Sequence, residues 1–251
     1  MRKPLITAHS GCNDTPQNSV ESVLAGADWG ADINEIDVRA TLDGIPILWH
    51  DEAIHTKHNG MLKVESLTYD EIEILSQRKD IDFPHRADSI TSLENVFDAI
   101  KGKQITLNLD LKDDECIVPV SKMVKERNLA ENVIFTGCEK VRASYLKSNN
   151  PEFQVLLNAE ERLIHRKDMD YIDKVKILCN TAVLAGCCGL NIPYDFCRQE
   201  LIDYADYRFL PVAVWTVSPD DDFETFINMG VSSITTFHVK ELVELKRNRM
   251  S

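Results

Sequence analysis

The sequence predicts a parallel α/β fold closed into a (β/α)8 barrel, a single TIM-barrel domain over residues 1–251. Three observations carry this. Short apolar runs alternate with segments of helical period along the whole chain, as parallel strands with crossover helices require. A length of 251 residues with 43% hydrophobic composition suits one barrel with a large core. Charged and imidazole side chains recur where the strand-like runs end, and the carboxyl ends of barrel strands are where sites form.

In chain order, Leu5 to Ala8 is an apolar run between Pro4 and the Ser10-Gly11 turn, and reads as a buried strand ending at His9. After Pro16-Gln17-Asn18-Ser19, the residues Val20, Val23, Leu24 and Ala27 recur at helical spacing up to a stop at Gly30. In the next strand Glu35, Asp37 and Arg39 share one face, and Ile36 and Val38 the other. Leu42-Asp43-Gly44 turns the chain into the run Ile45 to Trp49, too soon for a helical crossover. A hairpin or sharply bent pair ending at His50-Asp51 is therefore expected. The aperiodic stretch His55 to Lys63 is expected to form a loop over the site.

Thr68-Tyr69-Asp70-Glu71 and Thr91-Ser92-Leu93-Glu94 are capping boxes, predicting one helix to about Leu75 and another that stops at Gly102. Gln104 to Lys112 alternates, with Leu107, Leu109 and Leu111 on one face and Asn108, Asp110 and Lys112 on the other. Helices are expected at 117–127, 138–148 and 168–178, and strands at 132–136, 153–157 and around 190–192. Leu210 to Val217 is a strong strand, after which Ser218 and Pro219 supply an N-cap and a first helical position. That helix ends at Gly230, and a short strand at 231–236 precedes a terminal helix at 238–247 with basic residues in its last turns. Nine strand candidates compete for eight places, so a hairpin run or the last strand must be irregular.

A formal charge of −13 argues against nucleic acid or an anionic membrane surface as the main partner, and local positive potential must come from a metal or a few placed cations. The seven cysteines are scattered without a CxxC pair, which reads as reduced thiols. The basic start has too few apolar residues for a signal segment, and no run approaches the ~18 apolar residues that span a bilayer. A cytoplasmic protein is expected, with no membrane insertion; the oligomeric state is not legible.

Side chains two apart on a strand face the same way, so Glu35 and Asp37 can converge on one cation, and without a positive partner such a pair is costly. His9, Glu35, Asp37, His50, Asp110 and Lys112 all fall at or near strand carboxyl ends. Two histidines, three carboxylates and a lysine at one barrel mouth point to acid–base chemistry on a metal-bound anion. His55, His58, His85, His165 and His238 read as surface or loop residues.

His9-x-Gly11, Pro16-Gln17-Asn18-Ser19, Glu35-x-Asp37-Val38, Thr41-x-Asp43-Gly44, His50-Asp51, Asp110-x-Lys112 and Trp215-Thr216-Val217, with the stretch after Gly230, together resemble the glycerophosphodiester phosphodiesterase family. The resemblance covers nearly the whole chain and is most specific in its first third. It implies a metal-dependent hydrolysis of a small-molecule glycerophosphodiester to glycerol 3-phosphate and an alcohol. One divalent cation, magnesium or calcium, would be held by Glu35, Asp37 and Asp110. His9 and His50 would be the general acid and base, Lys112 would pair with the phosphate, and Trp215 would line the glycerol pocket. Two other readings stand beside this one: a non-catalytic family member that binds a phosphodiester or a partner, and a related barrel phosphodiesterase or lyase.

The chain departs from the family pattern at named places. Ser10 stands where the family has arginine in His-Arg-Gly, Gln17 replaces the glutamate of Pro-Glu-Asn-Thr, and Asp110 replaces a glutamate. Phe237 takes the place of the aspartate in the family's Thr-Asp. The loss of the arginine removes a bidentate phosphate donor, for which Arg39 is the candidate substitute on the Glu35 face.

Overall fold

The computed structural model describes residues 3–84 and 87–249; His85 lies outside them. Its strands are β1 (Leu5–Ala8), β2 (Ile33–Ala40), β3 (Pro46–Leu48), β4 (Ala53–Thr56), β5 (Gly60–Lys63) and β6 (Leu107–Leu111). They continue with β7 (Val133–Cys138), β8 (Gln154–Asn158), β9 (Gly189–Pro193), β10 (Val212–Trp215) and β11 (Ser233–Thr236). The helices are α1 (Val20–Trp29), α2 (Tyr69–Gln77), α3 (Leu93–Ala99), α4 (Ile117–Glu126) and α5 (Lys140–Asn149). After them come α6 (Glu161–Ile164), α7 (Tyr171–Ala185), α8 (Gln199–Tyr207), α9 (Phe223–Met229) and α10 (Val239–Asn248).

Eight strands pair in parallel in the order β1-β11-β10-β9-β8-β7-β6-β2, and the β1–β2 pairing closes them into the expected barrel. The ninth candidate is the Ile45–Trp49 run: its strand β3 lies antiparallel on β2, outside the closed ring. Leu107, Leu109 and Leu111 are buried on the face of β6 that supports the helical layer, where Phe135 stacks on Phe153 with ring centroids 4.9 Å apart.

Local signals fix most element ends. Ser19 accepts the Ser22 amide at 3.0 Å to start α1, and Gly30, at φ 99°, ends it. Thr68 and Glu71 form the reciprocal box at the start of α2. The box before α3 lies one residue later than its sequence suggests: Ser92 is the cap and Asn95, not Glu94, returns the bond. The expected helix 168–178 is α7, which starts at Tyr171 and runs on to Ala185, and the single turn α6 before it was not expected. Ser218 and Pro219 open only a short 3-10 turn, and α9 begins after Asp222, whose side chain accepts the Glu224 amide.

The stretch His55 to Lys63 departs furthest from the expectation. Instead of a loop over the site it forms most of the β4–β5 hairpin, with Thr56 opposite Gly60. The hairpin and α2 enclose a satellite core of Ile47, Trp49, Ile54, Val64, Ile72 and Ile81, separate from the main core. Its residues are absent from the wall of the barrel cavity. The polar tip hid an alternating strand pair.

All seven cysteines are free thiols, and burial pushes those of Cys187 and Cys197 up to about 12, so neither is a ready nucleophile. No helix among the described residues is long and apolar enough to cross a membrane.

Gly26 shows how closely α1 sits on the sheet. A Cβ there would stand 2.8 Å from the Ala8 Cβ and overlap Asn34 Oδ1. Alanine in a helix interior normally stabilises by about 1 kcal/mol relative to glycine. Here the overlap reverses the sign, and Gly26→Ala is expected to lower stability by about 1–3 kcal/mol in urea unfolding; a stabilised variant would show that α1 can lift away freely.

Candidate active site

The β2–β6 register creates the site. Glu35 lies opposite Asn108 and Asp37 opposite Asp110 on parallel strands, whose axes run about 4.8 Å apart, so two carboxylates are set side by side at the barrel mouth. Glu35, two residues before Asp37, completes the group: one oxygen from each of Glu35, Asp37 and Asp110 lies within 4.8 Å of the others. Lys112 follows at the end of β6, and its Nζ donates to Asp37 Oδ1 at 2.8 Å and to Asp110 Oδ2 at 2.7 Å.

This cluster carries excess negative charge, since one ammonium faces three carboxylates. Burial pushes the Glu35 carboxyl well above the ordinary range, and the neighbouring Asp37 charge adds to the effect. Asp110 is likewise raised, chiefly by burial. Burial acts the same way on Asp37, but the Lys112 ammonium and the Asn18 amide outweigh it and hold that carboxyl below its usual value. Burial disfavours the Lys112 charge too, yet Asp110 and Asp37 raise its pKa above the ordinary lysine value. Asp110 Oδ1 is buried without a hydrogen-bond partner among the described residues. Three hard oxygen donors, surplus charge and an unpartnered carboxylate oxygen fit a hard divalent cation.

Both histidines lie on the same cavity, about 700 Å³ in volume, whose wall also includes Glu35, Asp37, Asp110, Lys112 and Trp215. His9 Nδ1 sits 3.0 Å from the Ser10 carbonyl, which can only accept, so Nδ1 carries the proton and Nε2 is left free. The ring packs against Phe237, with ring centroids 4.1 Å apart and the planes tilted by 33°. Burial lowers the His9 pKa and favours its neutral form. His50 follows β3, and its Nδ1 is held 2.7 Å from Asp51 Oδ1. Trp215 closes one side, with 37% of its surface exposed.

Arg39 is turned away from this chemistry. Its Nε donates to the His50 carbonyl at 3.1 Å and its guanidinium pairs with Asp113, and it is not part of the cavity wall. Ser10 is also absent from that wall and is 1% exposed. Sequence reasoning passed over Asn18, whose side chain donates to Asp37 Oδ2 at 2.9 Å and accepts the Asp37 amide at 3.1 Å. It also passed over the ring of amides and hydroxyls beneath the acidic group, in which Thr136 donates to Asn108 at 2.8 Å. An asparagine facing the cavity from β6, β8 and β9 (Asn108, Asn158, Asn191) was the available signal.

The raised Glu35 pKa has a stability consequence. The unfolded chain gives up that proton at the ordinary glutamate value of 4.5, whereas the folded state retains it to higher pH. Stability therefore falls as pH rises above that ordinary value and is fully regained below it. Glu35→Gln removes the burden and is expected to raise stability at pH 7, in EDTA, by on the order of 1 kcal/mol. The variant's gain should vanish at pH 4 in thermal unfolding; an equal effect at both pH values would deny the buried charge.

The glycerophosphoryl diester phosphodiesterase family model matches residues 9–241. A glycerophosphodiester phosphodiesterase of Caldanaerobacter subterraneus is 26% identical over 98% of each chain. Among solved structures, a putative glycerophosphoryl diester phosphodiesterase from Silicibacter pomeroyi superposes with a TM-score of 0.82 at 19% identity, covering 99% of this chain and 94% of its own. A phosphodiesterase of Oleispira antarctica, solved with its product sn-glycerol-3-phosphate, gives 0.77 at 19% identity over 98% of this chain and 97% of its own. The two structures share the barrel, and the family match spans most of the sequence. This chain belongs to the glycerophosphoryl diester phosphodiesterase family and is an enzyme of that class.

Proposed function

We propose that the protein hydrolyses a glycerophosphodiester to glycerol 3-phosphate and an alcohol, with one divalent cation, magnesium or calcium, held by Glu35, Asp37 and Asp110. The observation that carries this reading is the meeting of the acidic group with two histidines on one cavity, each tied back through Nδ1. The relative from Caldanaerobacter and the product held by the Oleispira enzyme support the substrate class.

When bound, the cation would draw charge from the phosphoryl oxygens and so ease attack at phosphorus. Lys112, already between Asp37 and Asp110, supplies a point charge at the same place and pairs with a phosphate oxygen. His9, favoured as the neutral imidazole, takes the proton of the attacking water or hydroxyl at Nε2. His50 protonates the leaving alkoxide at Nε2, and Asp51 keeps the ring oriented. Trp215, on the cavity wall, offers an apolar face to the glycerol carbons. The strongly acidic charge favours small diesters over nucleic acid as substrates, and the placement of both histidines on the cavity speaks against a purely binding role.

His9→Ala and His50→Ala are each expected to lower turnover of glycerophosphocholine by about 10²–10⁴-fold with the circular dichroism spectrum unchanged. Activity near that of the unaltered protein in either variant would remove that histidine from the acid–base pair.

A further inference from the structure

Ser10 occupies the place of the family's arginine, yet its side chain is not an empty substitute. The hydroxyl accepts the Asn18 amide at 2.6 Å and donates to Asn18 Oδ1 at 3.1 Å, with Ser10 1% and Asn18 8% exposed. Asn18 stands in the left-handed region at φ 54°, a conformation that asparagine tolerates better than most residues but that still costs about 1 kcal/mol. The bent backbone is what brings its amide nitrogen onto Ser10 and its side chain onto Asp37.

The orientation of the Asn18 amide group matters. Its oxygen receives both the Ser10 hydroxyl and the Asp37 backbone N–H, so its NH2 must face Asp37 Oδ2, where it donates at 2.9 Å. Flipping the amide would set its oxygen against a carboxylate and its NH2 against a backbone N–H. The Ser10 hydroxyl thus joins the Asp37 N–H in holding the amide with its NH2 on Asp37 Oδ2, which leaves Oδ1 to Lys112. The same residue reaches two further groups through its backbone: its N–H donates to Glu35 Oε2 at 3.0 Å, and its carbonyl accepts from His9 Nδ1 at 3.0 Å.

We infer that Ser10 is a positioning residue: its hydroxyl locks the Asn18 amide and thereby the Asp37 carboxylate, so the loss of the arginine is offset by a more rigid ligand rather than by a new phosphate donor. This rests on the proposed cation site. A residue that orients a metal ligand contributes about 10-fold or more to affinity. The backbone contacts to Glu35 and His9 survive any side-chain change at Ser10, so the hydroxyl can be tested by itself.

Magnesium and calcium binding are measured by titration calorimetry on EDTA-stripped protein for the unaltered chain, Ser10→Ala, Ser10→Thr, Asn18→Ala and the Ser10→Ala/Asn18→Ala double variant, each at a temperature well below its unfolding midpoint. Ser10→Ala is expected to weaken binding about 10-fold, Ser10→Thr to restore it to within about 3-fold, and the double variant to bind no more weakly than Asn18→Ala alone. With glycerophosphocholine, Ser10→Ala should lower kcat while leaving KM nearly unchanged. Unaltered affinity in Ser10→Ala, a lower unfolding midpoint being its only defect, would overturn the inference. So would losses that add in the double variant. If the unaltered chain itself binds neither ion, the cation site fails instead, and the two failures are told apart.

Discussion

Two carboxylates set side by side by strand register are the constraint around which this molecule is organised. Parallel pairing of β2 with β6 leaves Asp37 and Asp110 no choice but to be neighbours, and Glu35 adds a third acid on the same inward face. Burying like charges together is unfavourable unless a positive group lies between them. Lys112 meets part of that demand, and Asp110 Oδ1 has no hydrogen-bond partner among the described residues. Much of the surrounding architecture then reads as support: the closed barrel prevents the two strands from sliding apart, and Asn18, itself bonded to Ser10, braces Asp37.

The sequence made this arrangement visible because the relevant periodicities are short. Glu35-x-Asp37 and Asp110-x-Lys112 declare their shared faces at a spacing of two, and the apolar alternates between them mark strands. The closure of the ring was legible from strand–helix alternation, but the ninth strand candidate could be placed only with pairing in hand. β3 reads as an ordinary apolar run, and nothing local says that it lies outside the ring. The β4–β5 hairpin was missed for a related reason. Its exposed strand ends and polar tip, Lys57-His58-Asn59-Gly60, weaken the alternation that betrays a strand, and its apolar partners, Trp49, Val64, Ile72 and Ile81, are spread over a wide stretch of sequence.

Side-chain direction was the least legible feature. Arg39 shares the inward face of β2 by periodicity, yet His50 and Asp113 draw its guanidinium out of the cavity. Ser10 looked like a simple deletion of charge, and only the left-handed turn at Asn18 reveals what its hydroxyl contacts. Such contacts depend on backbone conformations at single residues, which neither hydrophobic pattern nor motif spacing encodes. Phe237 against His9 is of the same kind: where the family carries an acid, this chain has an aromatic ring that packs on the imidazole.

The most direct test of the central claim is phosphorus NMR of glycerophosphocholine incubated with the purified protein in EDTA, in magnesium and in calcium. Conversion to glycerol 3-phosphate with either ion, abolished by EDTA and without a lasting cyclic phosphate signal, is the predicted result. Equal conversion in EDTA would contradict a cation held by Glu35, Asp37 and Asp110. A stable cyclic product would replace hydrolysis by a lyase reaction at the same site.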